Sequence, residues 1–324
     1  METKNDLKRR TALAGLAAPF LMPSMARAAW PERPIRLVVP FPPGSATDTL
    51  ARPFAEALSR ELEQPVIIDN RAGGNGVVGT ENGARSAPDG YTLLIYSTSG
   101  AAVNPHTLKR IPYDPIRDFA PIGFIAEMPY ILVVGADHPA RDLPGFIEHL
   151  RRRNGEATFS YGNSASLIAV SLLGQATGTR VQPIPYRGGP EALTDVMAGR
   201  IDGTFTDLGP GLAQVRGGKV RALGVTTLNP FPLVPDVPPL STAVPGYDLT
   251  VWYGLAAPAA TPSPILQRAA VALNKAIDDN GLKERFARQG YVPRHMTPDE
   301  FATFLQAQLA LWGERVRLAG IQPE

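Results

Sequence analysis

Short apolar runs alternate with segments of helical spacing along most of the chain. Residues 35–39 form a β-branched apolar run typical of a buried strand, and apolar positions 50, 54 and 58 then recur at helical spacing. Similar runs at residues 66–69 and 91–96 flank a second predicted helix. Strands that alternate with crossover helices form parallel sheets, so the pattern predicts an α/β fold that binds its ligand at the carboxyl ends of the strands.

A second series with the same order starts at the apolar run 131–134. It predicts strands at residues 158–161, 181–185, 203–206 and 222–226. A proline-rich stretch, a strand-like run at 252–256 and three helices complete the chain, and we expect this last part to return to the first domain. Each domain is expected to have a mostly parallel sheet flanked by helices, with a two-strand hinge between domain 1 (residues 29–126 and 250–324) and domain 2 (residues 127–249).

Residues 1–28 have a different pattern from the rest. A basic start precedes an uncharged, mostly apolar run at residues 12–22, and the small residues Ala26 and Ala28 flank Arg27 just before Ala29. This is the pattern of an export signal, and its apolar part is shorter than the about 20 residues that span a bilayer. We expect cleavage between Ala28 and Ala29, and both the ordinary secretory and the twin-arginine routes stay open.

Composition narrows the function classes. With 324 residues and 44% hydrophobic content, the chain can bury a large core, and it contains no cysteine, which excludes disulfides, thiolate metal sites and cysteine nucleophiles. No pair of its four histidines has helical ligand spacing, so we expect no metal and no cofactor. The whole chain has a formal net charge of +2, and residues 1–28 hold five basic and two acidic side chains. The charge of the remaining residues is therefore −1, so we do not expect nucleic acid as a partner.

The turn after the first predicted strand is a candidate anion site. Three prolines stiffen it, Gly44 allows a sharp bend, and the amides of Ser45, Ala46 and Thr47 are expected to point outward from the start of the next helix. Free N–H groups and the positive end of the helix dipole favour an anion there. The alternative is an ordinary strand-to-helix connection with Ser45 or Thr47 as its N-cap.

Two glycine-containing motifs are near matches to catalytic or cofactor motifs. Residues 74–79 fit G-x-G-x-x-G, but Ser97, Thr98 and Ser99 stand where an acid would bind a ribose, so we expect a second backbone-amide loop that faces the cleft. Residues 162–166 fall one position short of the G-x-S-x-G elbow of hydrolases, and a suitable later histidine is missing. The better use of Ser164 and Ser166 is as hydroxyl donors beside a helix start.

Two further polar side chains follow predicted strands. Asp207 comes directly after Thr206 at the end of an apolar strand, where it is either a turn or helix-cap residue or an acceptor for a ligand donor or bridging water. Tyr186 also follows a strand, and it either walls the cleft or packs in the core.

Ordered motifs spread over nearly the whole chain after the leader closely resemble one family of periplasmic receptors. They are Pro40-Phe41-Pro42-Pro43-Gly44 with Asp48, Asn70-Arg71, Pro88-Asp89-Gly90-Tyr91, Tyr113-Asp114-Pro115, Pro185-Tyr186-Arg187-Gly188 and Trp252-Tyr253-Gly254. This set resembles the Bug-type substrate-binding receptors of tripartite tricarboxylate transporters.

The resemblance implies a two-domain Venus-flytrap fold without catalysis, in the periplasm, with a small organic acid held between the domains and delivered to membrane permease subunits. We expect a monomer. The ligand contacts expected from the residues and the resemblance together are Phe41, Gly44, Ser45, Ala46, Thr47, Asp48, Ser97, Thr98, Gly162, Ser164, Ser166, Tyr186, Thr206 and Asp207.

The sequence departs from the family pattern at two places. Gly44-Ser45 stands where two glycines are usual, and the turn at residues 162–167 is shorter and has Leu167 in place of the usual histidine. The identity of the acid is therefore left open. Two other function classes also stay open, namely a sensory receptor for the same ligand and a cleft hydrolase or oxidoreductase.

Overall fold

The computed structural model describes residues 30–153 and 155–324. The expected export signal and the cleavage position before Ala29 lie outside the described residues. In the described part of the chain, no helix combines the length and apolar character needed to cross a membrane.

Strands and helices alternate as the sequence pattern predicts. The strands are β1 (Ile35–Val39), β2 (Val66–Asn70), β3 (Thr92–Ser97), β4 (Phe119–Gly135), β5 (Thr158–Tyr161), β6 (Gln182–Pro185), β7 (Gly203–Asp207), β8 (Val220–Val225), β9 (Thr250–Pro258) and β10 (Val292–Pro293). The α-helices are α1 (Ala46–Leu62), α2 (Val77–Ala84), α3 (Asn104–Thr107), α4 (Leu143–Arg153), α5 (Ser164–Thr177), α6 (Gly189–Met197), α7 (Leu208–Arg216), α8 (Ser263–Asp278), α9 (Asn280–Gln289) and α10 (Pro298–Leu318).

The sheet consists of two parallel groups joined by two antiparallel strands. Its order is β2-β1-β3-β9-β4-β7-β5-β6, with β8 and β10 also paired to β4. Strand β1 is parallel to β2 and β3, and β5 is parallel to β6 and β7, whereas β4 and β9 run antiparallel to their neighbours. We call the β2-β1-β3 group with its helices the first half and the β7-β5-β6 group with its helices the second half.

Strand β4 passes from one half to the other. It pairs with β9 up to Pro129 and with β7 from Tyr130 onward, and its register against β9 shifts at two places. The sequence has two separate apolar runs here, at residues 122–125 and 131–134, whereas the structure has one strand of 17 residues. The run is broken in sequence by Glu127 and Pro129, but backbone pairing continues through both. Register shifts bend a strand, and these two lie at residues 121–126, before β4 crosses from β9 to β7 at Pro129 and Tyr130.

Apolar faces of the helices cover both groups of strands. Helix α1 buries Leu50, Phe54 and Leu58 completely, and α4 buries Phe146 and Leu150 in the second half. The C-terminal helices α8 and α10 pack against β4, and Arg268 of α8 donates to the Glu61 carbonyl near the end of α1 at 2.8 Å. The end of the chain therefore packs on the first half.

Candidate ligand-binding site

A small, partly open cavity lies where the two halves meet, at the carboxyl ends of β1, β3, β5 and β7. Its volume is about 20 Å³, which is room for about one water molecule. Both halves and both joining strands contribute to its wall. The lining residues are Phe41, Ser45, Ala46, Thr47, Ser97, Thr98, Ser99, Tyr130, Gly162, Asn163, Gly189, Asp207, Val251, Trp252 and Tyr253.

The start of α1 presents two amides at this cavity. The Ser45 hydroxyl caps the helix by accepting from the Asp48 amide at 3.3 Å. The prediction that the Ser45 amide points outward is wrong, because this amide donates to the Pro42 carbonyl at 3.2 Å and closes a turn in which Gly44 has a φ of +79°. The amides of Ala46 and Thr47 have no backbone or side-chain acceptor within the described residues.

Asp48 and Gly44 support this turn from behind, outside the lining. The Asp48 carboxylate accepts from the Gly44 amide at 2.9 Å and from Asn70 at 2.9 Å, and it pairs with Arg52 at 2.9 Å. Burial alone would raise the pKa of Asp48, but the hydrogen bonds from Arg52, Gly44 and Asn70 outweigh it and hold the pKa below its usual value. Asp48 is therefore an ionised residue that fixes the shape of the loop.

Ser97 at the end of β3 and Thr98 directly after it lie in the wall, but their hydroxyl groups form hydrogen bonds with other protein atoms. The Thr98 hydroxyl accepts from the Trp252 amide at 2.7 Å and donates to the Trp252 carbonyl at 3.1 Å. The Ser97 hydroxyl accepts from the Gly100 amide at 3.3 Å. Thr98 therefore ties β9 to the first half and does not offer a free donor to a ligand in this conformation.

In the second half, Gly162 lines the cavity, whereas Ser164 and Ser166 lie beside it. The Ser166 hydroxyl donates to the Asn163 carbonyl at 2.9 Å, and the Ser164 hydroxyl donates to Asn104 at 2.7 Å. Asn163 caps α5 by accepting from the Ser166 amide at 2.9 Å, and it also accepts from the Tyr130 hydroxyl at 2.8 Å. Asn163 was not among the contacts expected from the sequence, although its place in the turn before a predicted helix could have indicated a capping residue.

A second helix start reaches the cavity opposite α1. Gly189 is the first residue of α6 and lines the cavity, and the next residue, Pro190, lies 3.9 Å from the position of a Cβ built on Gly44. A Cβ built on Gly162 would lie within 3 Å of the Gly188 and Gly189 backbone, so only glycine allows this approach. Two helix N-termini, one from each half, therefore meet at one cavity.

Apart from tyrosines, Asp207 is the only ionisable side chain among the described residues that line the cavity. It is 6% exposed, and burial raises its pKa to about 7, against a smaller opposing effect of its own backbone N–H. Asp207 precedes α7, yet its side chain makes no capping hydrogen bond. A carboxyl group with a pKa near 7 is mostly neutral below that pH and can then donate a hydrogen bond to an anion.

Thr206 and Tyr186 lie outside the wall. Side chains alternate along a strand, so Thr206 points away from Asp207 and packs on α7, where its methyl lies 2.6 Å from a Cβ built on Gly211. The Tyr186 hydroxyl donates to Asp195 at 2.6 Å, and Arg200 pairs with the same carboxylate at 2.9 Å. Tyr186 thus belongs to a partly exposed polar network on α6.

The glycine motif at residues 74–79 supports the site and does not face it. A Cβ on Gly79 would lie 2.5 Å from the Pro40 Cα, and one on Gly76 would lie 3.0 Å from the Phe41 ring. These glycines let α2 pack directly against the loop that carries Phe41. The expectation of a second backbone-amide loop in the cleft is therefore wrong.

His138, His149 and Asp202 form a separate cluster in the second half, where Asp202 directly precedes β7. His149 Nε2 is 3.3 Å from Asp202 Oδ1. His138 Nδ1 accepts from the Ala140 amide at 3.1 Å, and burial lowers the pKa of His138 to about 4, so the neutral ring carries its proton on Nε2. An Nε2–H group has no lone pair for a metal, so these contacts do not fit a metal site.

Comparison with known proteins identifies the family. A family model described as the tripartite tricarboxylate transporter family receptor matches residues 50–321. The chain belongs to this receptor family. The family consists of substrate-binding receptors and not of enzymes, which rejects the hydrolase and oxidoreductase alternatives.

Relatives and solved structures agree with this assignment and confirm the fold prediction. Protein BugT of Bordetella pertussis is 34% identical over 316 residues, which are 95% of this chain and 94% of BugT. The periplasmic binding protein BugD is 28% identical with a TM-score of 0.87, over 91% of this chain and all of BugD. These neighbours have the two-domain periplasmic-binding-protein fold.

Two solved neighbours contain carboxylates. Rpa4515 of R. palustris, described with adipate, is 30% identical with a TM-score of 0.87 and covers 91% of this chain and 100% of its own. MatC (Rpa3494) of Rhodopseudomonas palustris, described with bound malate, is 28% identical with a TM-score of 0.84 and covers 89% of this chain and 100% of its own.

Proposed function

We propose that this protein is a periplasmic receptor that captures a small organic acid between its two halves and delivers it to the permease of a tripartite transporter. The observation that carries the proposal is the meeting of two helix N-termini at one cavity. Among the described lining residues there is no Arg or Lys. Amides and helix dipoles are thus the groups available to bind an anion.

These groups are strong enough for a useful affinity. A hydrogen bond to a charged group contributes about 1.5–3 kcal/mol and a helix terminus about 0.3–1 kcal/mol. Four or five such contacts, less the cost of association, reach the roughly −8 kcal/mol of a micromolar complex. The Ala46, Thr47 and Gly189 amides and a neutral Asp207 supply most of them.

Binding also requires the halves to move apart. A cavity with room for about one water molecule is too small for a dicarboxylic acid. Strands β4 and β9 connect the halves, since β4 pairs with β9 up to Pro129 and with β7 from Tyr130 onward. We propose that the halves rotate about these two strands to admit the acid and close over it, and that domain 1 and domain 2 have the boundaries expected from sequence.

Export follows from the leader pattern and from the periplasmic relatives. We propose that the protein acts in the periplasm as a chain that begins at Ala29, since Ala26 and Ala28 have the small side chains that signal peptidase accepts. N-terminal sequencing of the protein from a periplasmic fraction should give Ala29 as the first residue. Recovery of an intact chain that starts at Met1 in the membrane fraction would contradict the proposal.

Calorimetric titration with adipate and malate tests the binding function. We expect a dissociation constant near the micromolar range for at least one acid, and a gain of about 2.7 kcal/mol in the free energy of unfolding at 100 times that constant. Adipamide, which has the same length but no charge, is the matched control and should not bind. Failure of every small carboxylate to bind, or equal binding of adipamide, would contradict an anion receptor, as would conversion of the acid to a product.

A further inference from the structure

Two buried side chains bridge the halves beside the cavity without lining it. The Ser164 hydroxyl of the second half donates to Asn104 Oδ1 of the first half at 2.7 Å. Asn104 is 0% exposed and Ser164 is 1% exposed. This hydrogen bond is shorter than the other polar contacts in this region, in which the Ser99 hydroxyl lies 3.4 Å from the Ala165 amide and 3.5 Å from Asn163 Oδ1.

Each partner is held in place by its own half. The Asn104 Nδ2 group donates to the Asn75 carbonyl at 3.1 Å, which orients Oδ1 towards the second half. Ser164 is the first residue of α5, and the Asn163 cap fixes the start of this helix. Neither side chain has to rearrange for the bond to form, so the bond depends on the distance between the halves.

The bond is specific to the closed conformation. Separation of the halves exposes both groups to water, where each finds other partners. In the closed conformation the two groups are buried, and a buried polar group that loses its partner costs about 1–3 kcal/mol. The bond therefore adds to the stability of the closed form and not to that of either half.

We propose that Asn104 and Ser164 form a latch that sets the affinity and lifetime of the bound state without touching the ligand. The effect on affinity rests on the proposed function, because it requires an acid that binds in the cavity. The effect on closure does not require a ligand. They are positioning residues, since they act through the distance between the halves.

Stopped-flow and calorimetric measurements on Ser164→Ala test the latch. We expect the dissociation constant for adipate to rise about five- to 150-fold, mainly through faster dissociation, because Asn104 Oδ1 then loses its partner only in the closed form. Ser171→Ala is the matched control, since Ser171 lies in the same helix and outside the cavity wall. The control should bind like the wild type.

A double-mutant cycle separates the latch from general loosening. Asn104→Ala removes the group that Ser164→Ala leaves without a partner, so the double variant should lose clearly less affinity than the two single losses combined. The ligand-free melting temperature of Ser164→Ala should fall only slightly, because the open form, which lacks the bond in the wild type too, stays folded. Additive losses, or a melting temperature that falls in step with affinity, would show a structural role instead and overturn the proposal.

A ligand-free distance measurement keeps the two proposals distinguishable. The chain has no cysteine, so Ala87→Cys and Ala198→Cys, both at exposed positions in different halves, can carry spin labels without background. The closed distance should be less populated in Ser164→Ala than in the labelled wild type. Equal populations, or a wild type without a closed population, would overturn the latch. A wild type that closes but binds no acid would instead refute the proposed function.

Discussion

Raising the pH from 6 to 8 should weaken the binding of adipate about tenfold, and Asp207→Asn should remove this dependence. Burial raises the pKa of Asp207 to about 7, so the carboxyl group is mostly neutral at pH 6 and mostly ionised at pH 8. The neutral form donates a hydrogen bond to the bound carboxylate, whereas the ionised form repels it. The affinity therefore falls as the pH rises through the pKa.

Calorimetry at pH 6, 7 and 8 measures this effect with little change in the charge of the ligand. Carboxylic acids have pKa values of about 4 and the second proton of a diacid leaves at a somewhat higher pH, so adipate is mostly doubly charged at pH 6 and fully so at pH 8. Asp137→Asn, which changes an exposed acid in the turn after β4, is the matched control and should retain the pH dependence of the wild type. An affinity that rises with pH would contradict this role and show that ionised Asp207 attracts a positive group of the ligand.

Ala46→Pro should weaken binding of the acid about 10- to 150-fold while the fold stays intact. Proline removes the amide of residue 46, which has no acceptor among the described residues and can donate to the ligand; a hydrogen bond to a charged group contributes about 1.5–3 kcal/mol. Proline is favoured at the first position of a helix, and Ser45 has a φ of −66° and a ψ of 163°, which a following proline tolerates. The loss therefore reports on the amide and not on the helix.

Ala46→Ser is the control for this substitution, because it adds a side-chain atom and keeps the amide. It should bind within about threefold of the wild type. Calorimetry gives the affinities, and thermal melting of each ligand-free variant checks the fold. Equal losses in the two variants would show that the size of residue 46 matters and not its amide.

The sequence predicted most elements of the fold, because alternation and helical spacing survive in single segments. The apolar pattern predicts the last three helices at about residues 264–278, 282–289 and 298–318, and the helices of the structure begin and end within two residues of these positions. Helix α7 was not predicted, since Gly209, Pro210 and Gly211 near its start disfavour a helix. Packing explains these glycines, because a Cβ on Gly209 would approach Gln289 and one on Gly211 would approach Ile131. Such contacts join distant parts of the chain and leave no local signal.

The candidate site was predictable in part for the same reason. The helix start at Ala46 and Thr47 depends on one turn, and the sequence of that turn indicates it. The partners of hydroxyl groups depend on contacts between residues that are far apart in the sequence, as Thr98 with Trp252 and Ser164 with Asn104 illustrate. Residues of β4 and β9 enter the wall because these strands cross between the halves, which apolar patterns in short segments do not show.

A crystal structure of the protein with the most tightly bound acid of the titration series tests the central claim most directly. We expect a carboxylate in the enlarged cavity, with its oxygens within about 3.2 Å of the Ala46 and Thr47 amides and with the Gly189 amide and Asp207 close by. A carboxylate held by an arginine or lysine side chain, or bound outside the junction of the two halves, would contradict it.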